Sequence, residues 1–279
     1  MIGVLFVLLG GVAWAGSSPN EVRKAAEATM LVTGWIEVMP DGTVHNYTLD
    51  HPEMLPPLVV ELIQKNTPNW KFQRNDHMDA ILRAKMNLRI VAKHVDDEHD
   101  SIAISSASFG NAGTVSTDEI SAKQSRIPHY PFDAIKGHVD GTVFVYARVN
   151  RAGKIEDIAV EQVNLGEYGS ESQMRHYRKM LADASLDAVK DWTFNPPTTG
   201  KSAMAPYWDV RIPITFDLNV AGSPVRYTYG KWRAYIPGPR ESIPWAKSSQ
   251  FASSSDAIPD GSISQADQPL QLTTALGGT

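Results

Sequence analysis

The clearest pattern of apolar and polar positions in this chain lies in residues 208–218. Every second position there is apolar: Trp208, Val210, Ile212, Ile214, Phe216 and Leu218. The positions between them carry Asp209, Arg211, Pro213, Thr215 and Asp217. Because successive side chains of a strand point to opposite faces, this alternation predicts a β-strand with one buried face. Pro213 has no N–H to donate, so it predicts that this strand lies at a sheet edge or carries a bulge.

Two other stretches predict β-hairpins. Apolar residues alternate in residues 32–38, before the turn Pro40-Asp41-Gly42. They alternate again in residues 143–149, before Ala152-Gly153. Alternation on both sides of a glycine-containing turn is typical of a hairpin.

Each predicted hairpin is followed by a predicted helix and by a Trp-x-Phe motif. The helices are expected at residues 58–63 and 179–190, and in the second of these the apolar positions fall on one helical stripe. Trp70-Lys71-Phe72 and Trp192-Thr193-Phe194 then place two rings on one face of an extended segment, which predicts core anchors.

These parallels predict an internal repeat. Gly42 and Gly153 lie 111 positions apart, whereas Trp70 and Trp192 lie 122 apart. Leu88-Arg89-Ile90 and Val210-Arg211-Ile212 are also 122 apart, which predicts one register from the Trp motif to the last strand. The later copy is expected to hold its extra residues near positions 166–176.

Residues 128–218 resemble the C-terminal domain of the TonB family. The resemblance rests on four pieces in order: a Tyr130-Pro131 opening, a strand-turn-strand, a helix ending in Trp-x-Phe, and a final apolar strand. It covers about a third of the chain. It implies an α+β fold of two tandem TonB C-terminal-like units, the first diverged at about residues 30–93. Each unit would be a small antiparallel sheet packed on a helix, built from a β-hairpin, a helix and an edge strand.

The resemblance also implies a binding mode. In TonB-like domains the last strand receives an extended segment of an outer-membrane transporter by strand addition. The implied partner-binding residues are Tyr130, Pro131, Trp208, Val210, Arg211, Ile212, Pro213, Ile214, Thr215, Phe216 and Leu218. Ile127 stands where well-known members carry a polar residue, and the first copy has no Tyr-Pro. The sequence contains no long Pro-Glu/Pro-Lys spacer, so the resemblance favours a binding mode more than force transduction.

Composition divides the rest of the chain. Residues 1–15 predict a cleaved signal peptide, because an apolar run ends in Ala13-Trp14-Ala15. The expected parts are a first unit at 16–100, a linker at 101–126 and a TonB-like domain at 127–219. An aromatic arm at 220–247, rich in Pro and Gly, and a disordered tail at 248–279 follow. The expected location is the periplasm, or an inner-membrane anchor if the signal is not cleaved.

Charge and cysteine content exclude several classes. A net charge of -5 argues against a nucleic-acid partner, and the absence of cysteine excludes disulfides, thiolate metal sites and cysteine nucleophiles. The sequence predicts a non-enzymatic protein with no cofactor, no metal and no catalytic residue. The predicted partner is the periplasmic segment of a TonB-dependent transporter or another envelope protein; the sequence does not predict the oligomeric state.

Two alternatives remain open. The first is a structural cell-envelope protein whose units pack on each other and bind no transporter. The second, more distant, is a metal-dependent enzyme using His45, His51, His94, His99 and the run Asp96-Asp97-Glu98. His94 and His99 are five positions apart, which differs from the i, i+4 spacing of a helical zinc pair.

Overall fold

The computed structural model describes residues 24–74, 79–96, 99–110, 117–218, 229–246, 258, 262–265 and 270–277. Within these residues the protein is a mixed α+β structure with small antiparallel sheets and few helices. The strands are β1 (Glu27–Val38), β2 (Val44–Leu49), β3 (Phe72–Arg74), β4 (Leu82–His94), β5 (Asp100–Gly110), β6 (Ser121–Gln124), β7 (Gly141–Asn150), β8 (Ile155–Leu165), β9 (Thr193–Asn195), β10 (Tyr207–Phe216), β11 (Arg233–Tyr235), β12 (Ser264–Gln265) and β13 (Leu270–Leu272). The helices are α1 (Pro57–Asn66), α2 (Phe132–Lys136) and α3 (Glu171–Val189).

The first sheet has the order β11-β1-β4-β5, and β2 also pairs with β1. The inward positions of β1 and β4 are apolar and buried, among them Val32, Ile36 and Leu88. They form one core with the buried face of α1, which presents Val59, Leu62 and Ile63. Alternation along the strands and helical spacing in α1 therefore produce one shared apolar layer.

The second sheet has the order β12-β10-β7-β8. Its inward side chains from β7 and β10 form a second core with α3, through residues such as Leu181 and Val189. The predicted alternation of residues 208–216 is seen here, since Trp208, Val210 and Ile212 all belong to this core.

The two hairpin turns are built alike. The N–H of Phe72 donates to the carbonyl of Gly42, and the N–H of Phe194 donates to the carbonyl of Gly153, both at 2.8 Å. Both glycines have positive φ, 83° and 72°. In both units the Trp-x-Phe segment thus attaches to the glycine of the hairpin turn through the same backbone hydrogen bond.

The last strands do not follow the predicted register. Val38, four residues before Gly42, pairs with Leu82, whereas Val149, four residues before Gly153, pairs with Trp208. Leu82 and Trp208 lie 126 positions apart, so the predicted match of residues 88–90 with 210–212 is wrong by four. The connection from β9 to β10 is four residues longer than that from β3 to β4 and includes the 3-10 turn Lys201–Met204. A shift by an even number of residues leaves every side chain on the same face of the sheet. The alternation in the sequence therefore did not reveal the shift of four residues.

Both helices are longer than predicted, and α3 also contains the extra residues of the second unit. It has 19 residues against 10 in α1, and it begins at Glu171 rather than near Lys179. Ser170 and Gln173 form a capping box that fixes this start. The extra residues expected at 166–176 therefore belong partly to the first turns of a helix.

The prediction of a linker at 101–126 is wrong for residues 101–110. Residues 100–110 form β5, which pairs with β4 from Lys85 to His94. Ile102, Ile104, Ala107 and Phe109 are buried in the first core, so apolar residues spaced among the serines suffice for a strand. Residues 121–124 form β6, which pairs with β9.

The tail predicted to be disordered contains ordered residues. Ser264 and Gln265 pair with Arg211 and Val210 of β10. Residues 270–272 pair with β3, and Leu270, Leu272 and Leu276 are buried in the first core. The leucines of this segment bury apolar surface that low average hydrophobicity had obscured.

The arm joins the two units. Its strand β11 pairs with β1 from Glu27 to Thr29. The next residue, Ile236, exchanges two backbone hydrogen bonds with Leu165 of β8, at 2.7 and 3.1 Å. One short segment thus binds an edge of each sheet.

The predicted signal peptide, residues 1–15, lies outside the described residues. Among the helices that the structure describes, none is both long and apolar enough to cross a bilayer.

Candidate binding edge

Strand β10 has very different neighbours on its two sides. On one side it pairs with β7 along its whole length, from Tyr207 opposite Asn150 to Phe216 opposite Gly141. On the other side, the described residues pair with it at two positions, Val210 and Arg211. Pro213 lies beyond that short pairing. Among the described residues, strand pairing on the outer side of β10 is therefore confined to Val210 and Arg211.

The equivalent strand of the first unit has no such edge. β4 pairs with β1 on one side and, from Lys85 to His94, with β5 on the other. Within the described residues, the first unit thus pairs this side from Lys85 to His94, whereas the second unit pairs it at Val210 and Arg211. This difference is the main geometric feature of the predicted site.

The outward face of β10 is buried, although a solvent-facing side was predicted. Asp209 and Arg211, on the face opposite the core, are each less than 10% exposed. Asp209 accepts hydrogen bonds from Arg148 at 2.9 and 3.1 Å. Arg211 donates to Glu161 at 3.2 Å. Buried charges persist only when paired, and here each acid faces an arginine.

The arm covers part of this charged face. Arg240 also donates to Glu161, and Trp245 packs on Tyr146 with ring centroids 5.2 Å apart. The guanidinium of Arg148 lies between the rings of Tyr207 and Trp245, 3.9 and 4.9 Å from their centroids. The arm thus lies along β8 and over this face, whereas β12 occupies the β10 edge.

Tyr130 and Pro131 lie beside the end of β10. The ring of Tyr130 packs edge-on against Phe216, with centroids 5.2 Å apart, and its hydroxyl donates to the carbonyl of Val139 at 2.7 Å. Burial, followed by the nearby charge of Asp140, raises the pKa of the Tyr130 hydroxyl to about 12. Pro131 is the N-cap of α2. Leu218 lies two residues beyond the end of β10 and is half-buried.

Three exposed apolar side chains adjoin predicted site residues in the chain, and sequence reasoning did not select them. Met204, in the turn that leads into β10, is 81% exposed. Ile127 and Phe132, on either side of Tyr130-Pro131, are 88% and 66% exposed. Exposed apolar side chains near an open strand edge are the usual composition of a protein-binding surface. Only exposure distinguishes these residues from core residues, and sequence does not give exposure.

Two of the histidines proposed for a metal site, His94 and His99, are each paired with one acid. His94 lies 3.0 Å from Asp100, and His99 lies 2.7 Å from Asp96. Asp97 and Glu98 lie outside the described residues. In the part of the chain that is described, no three His, Asp or Glu side chains come together as a metal-binding group.

Comparisons with known proteins identify no relative. No protein-family model, no curated protein and no solved structure matches this chain.

Proposed function

We propose that this protein is an exported binding or adaptor module made of two tandem TonB C-terminal-like units. Its second unit would bind an extended segment, such as the periplasmic segment of an outer-membrane transporter, by strand addition along β10. The proposal rests on the residues of 128–218 that resemble the TonB C-terminal domain, and it involves no catalysis.

One observation carries the proposal: among the described residues, the outer side of β10 is paired at Val210 and Arg211, whereas β4 is paired from Lys85 to His94. A strand at the edge of a sheet is a template for another strand. An incoming segment would extend a sheet whose core is already complete, so it would meet a rigid surface. The exposed side chains of Met204, Ile127 and Phe132 would add apolar contacts at its ends.

The direct test is a backbone lesion on the outer side of β10. Strands accept proline where the missing N–H faces away from the neighbouring strand, so the nitrogen of Pro213 is expected to face outward. Residues two apart share that direction, so the backbone N–H of Thr215 points to the same side. We expect Thr215→Pro to weaken binding of an extended transporter-derived peptide by at least about tenfold, because proline changes the backbone along which the peptide would pair.

Thr215→Ala is the matched control. It removes the hydroxyl contact with Thr142 at 3.1 Å but keeps the backbone N–H, so binding should change little. Circular dichroism would show that both variants are folded. Equal effects of the two substitutions on calorimetric titrations would contradict strand addition.

A structural role in the cell envelope is the second candidate. It is favoured by the arm, which binds β1 and β8 at the same time and would suit two units that serve only to hold each other. That role predicts a folded protein with no affinity for extended peptides, so the same titration separates it from the first proposal.

A further inference from the structure

The last segment that the structure describes, residues 270–277, is bound in the first unit as a peptide would be. Its strand β13 pairs antiparallel with β3, from Leu270 opposite Arg74 to Leu272 opposite Phe72. Beyond β13, the N–H and the hydroxyl of Thr273 both donate to the carbonyl of Lys71, at 2.8 and 2.9 Å. Backbone pairing thus fixes the direction and register of the segment.

Aromatic and backbone groups of the first unit hold the end of the segment. The indole N–H of Trp70 donates to the carbonyl of Leu276 at 3.2 Å. The N–H of Ile104 donates to the carbonyl of Gly277 at 3.1 Å. Trp70, Phe72 and Phe109 stack edge to face with one another within the core that receives the leucines.

Three leucines supply the apolar contacts. Leu270, Leu272 and Leu276 are each less than 10% exposed, while Gln271 between them is exposed. Residues 270–277 carry no charged side chain. The groove therefore selects an extended, uncharged segment with leucine at its first, third and seventh positions.

In the second unit, a different kind of segment lies beside β9, the strand equivalent to β3. There the short strand β9 pairs with β6, which precedes its own unit in the chain. In the first unit the neighbour of β3 comes from the opposite end of the protein, and the Thr273–Lys71 hydrogen bond spans 202 positions. The place beside β3 is thus filled by β13 from a distant part of the chain and not by residues contiguous with the first unit.

We propose that the groove beside β3 is a peptide-binding site of the first unit, which residues 270–277 occupy as an internal ligand. Its external ligand is a segment of a partner protein with the same chemistry: extended, uncharged, with leucines at positions one, three and seven. This site is separate from the β10 edge and does not depend on the function proposed for that edge.

The test uses the full chain, so that the first unit folds with its ligand in place. A protease site is inserted between Gln265 and Leu270, and the chain is cut after folding. A fluorescent peptide of residues 268–279 is then added, and its anisotropy is followed. We expect the labelled peptide to replace the cut segment and to saturate at one peptide per protein. The uncut chain should bind it at least about tenfold more weakly, because the attached segment competes.

A labelled peptide with Leu272→Asp is the matched control, and it should bind at least about tenfold more weakly because a charge would enter an apolar pocket. Failure of the cut protein to take up the peptide over days, while the cut segment stays bound, would show a permanent structural element and overturn the proposal. Equal binding of the Leu272→Asp peptide would overturn the predicted pocket for leucine.

Discussion

Gly42 and Gly153 are the residues on which the two hairpin turns depend. A Cβ placed on either glycine would lie 2.0 or 2.1 Å from a carbonyl oxygen, of Phe72 or Phe194, and both glycines have positive φ. No small movement relieves a clash with backbone that is itself hydrogen-bonded to the turn. Each glycine is therefore required twice, by its conformation and by the close approach of the following segment.

We expect Gly42→Ala and Gly153→Ala to lower the free energy of unfolding by at least about 1–2 kcal/mol, the cost of the left-handed conformation alone. Gly110→Ala is the control, because a Cβ there meets nothing within 4 Å. Its effect should stay within about 0.5 kcal/mol. Urea denaturation of the three variants would measure this, and a similar loss in all three would contradict the account of the turns.

Trp70 and Trp192 occupy equivalent positions in the sequence but differ in burial. Trp70 is 2% exposed and packs against Phe109, whereas Trp192 is half-buried and donates to the carbonyl of Arg126 at 3.0 Å. Trp192 packs against the second core but is only half-buried, so it anchors its core less completely than Trp70 does. The extra cover on Trp70 comes from the C-terminal segment, which local sequence could not indicate.

Trp70→Ala should cost about 3–5 kcal/mol, as for other buried tryptophans. Trp192→Ala should cost about 1–2 kcal/mol, because part of its surface is already exposed to water. Thermal or urea unfolding of both variants would compare them. A larger loss for Trp192→Ala would mean that the second unit depends on this ring more than its burial indicates.

At the scale of elements, β4 should be protected from hydrogen exchange on both of its sides. β1 and β5 flank it, so amides that point toward either neighbour have a partner strand. Amide exchange measured by NMR would test this, and fast exchange at every second amide of β4 would contradict the pairing with β5.

The sequence predicted the elements that depend on local pattern and not those that depend on distant partners. Alternation identified β10, and the glycines located both hairpin turns. Residues 100–110 were assigned to a linker because their serines and alanines weaken the hydrophobic signal, although β4 supplies the pairing that makes them a strand. The pairing of residues 264–265 and 270–272 depends on β10 and β3, far away in the chain, and no local pattern reveals it.

The predicted site at β10 also combines a local pattern with distant contacts. Pro213 and the alternation of residues 208–218 predicted a strand at the edge of a sheet. They did not indicate that the opposite face is buried under Arg240 and Trp245, because those contacts join β7, β8 and β10 to the arm. The predicted register of the repeat failed for a related reason, since a slip of four residues leaves the alternation unchanged.

At the scale of the whole molecule, the two units should not separate when the chain between them is cut. The arm pairs with β1 and with β8, and residues 270–277 return to the first core after residues 264–265 have paired with β10. After cleavage at a protease site inserted between β5 and β6, we expect the two parts to elute together in size-exclusion chromatography without denaturant. Their separation under native conditions would contradict these contacts.

The central claim, that β10 binds an extended segment at its outer edge, is tested most directly by freeing that edge. Replacing Ser264 and Gln265 together with proline removes the pairing of β12 while keeping the leucines that hold the C-terminal segment in the first unit. In calorimetric titrations with an extended transporter-derived peptide, this variant should bind up to about tenfold more tightly than the intact chain, because one competing strand is gone. The double alanine variant, which keeps both N–H groups, should bind like the intact chain. If neither the intact chain nor the proline variant binds the peptide at millimolar concentration, β10 is not a strand-addition site.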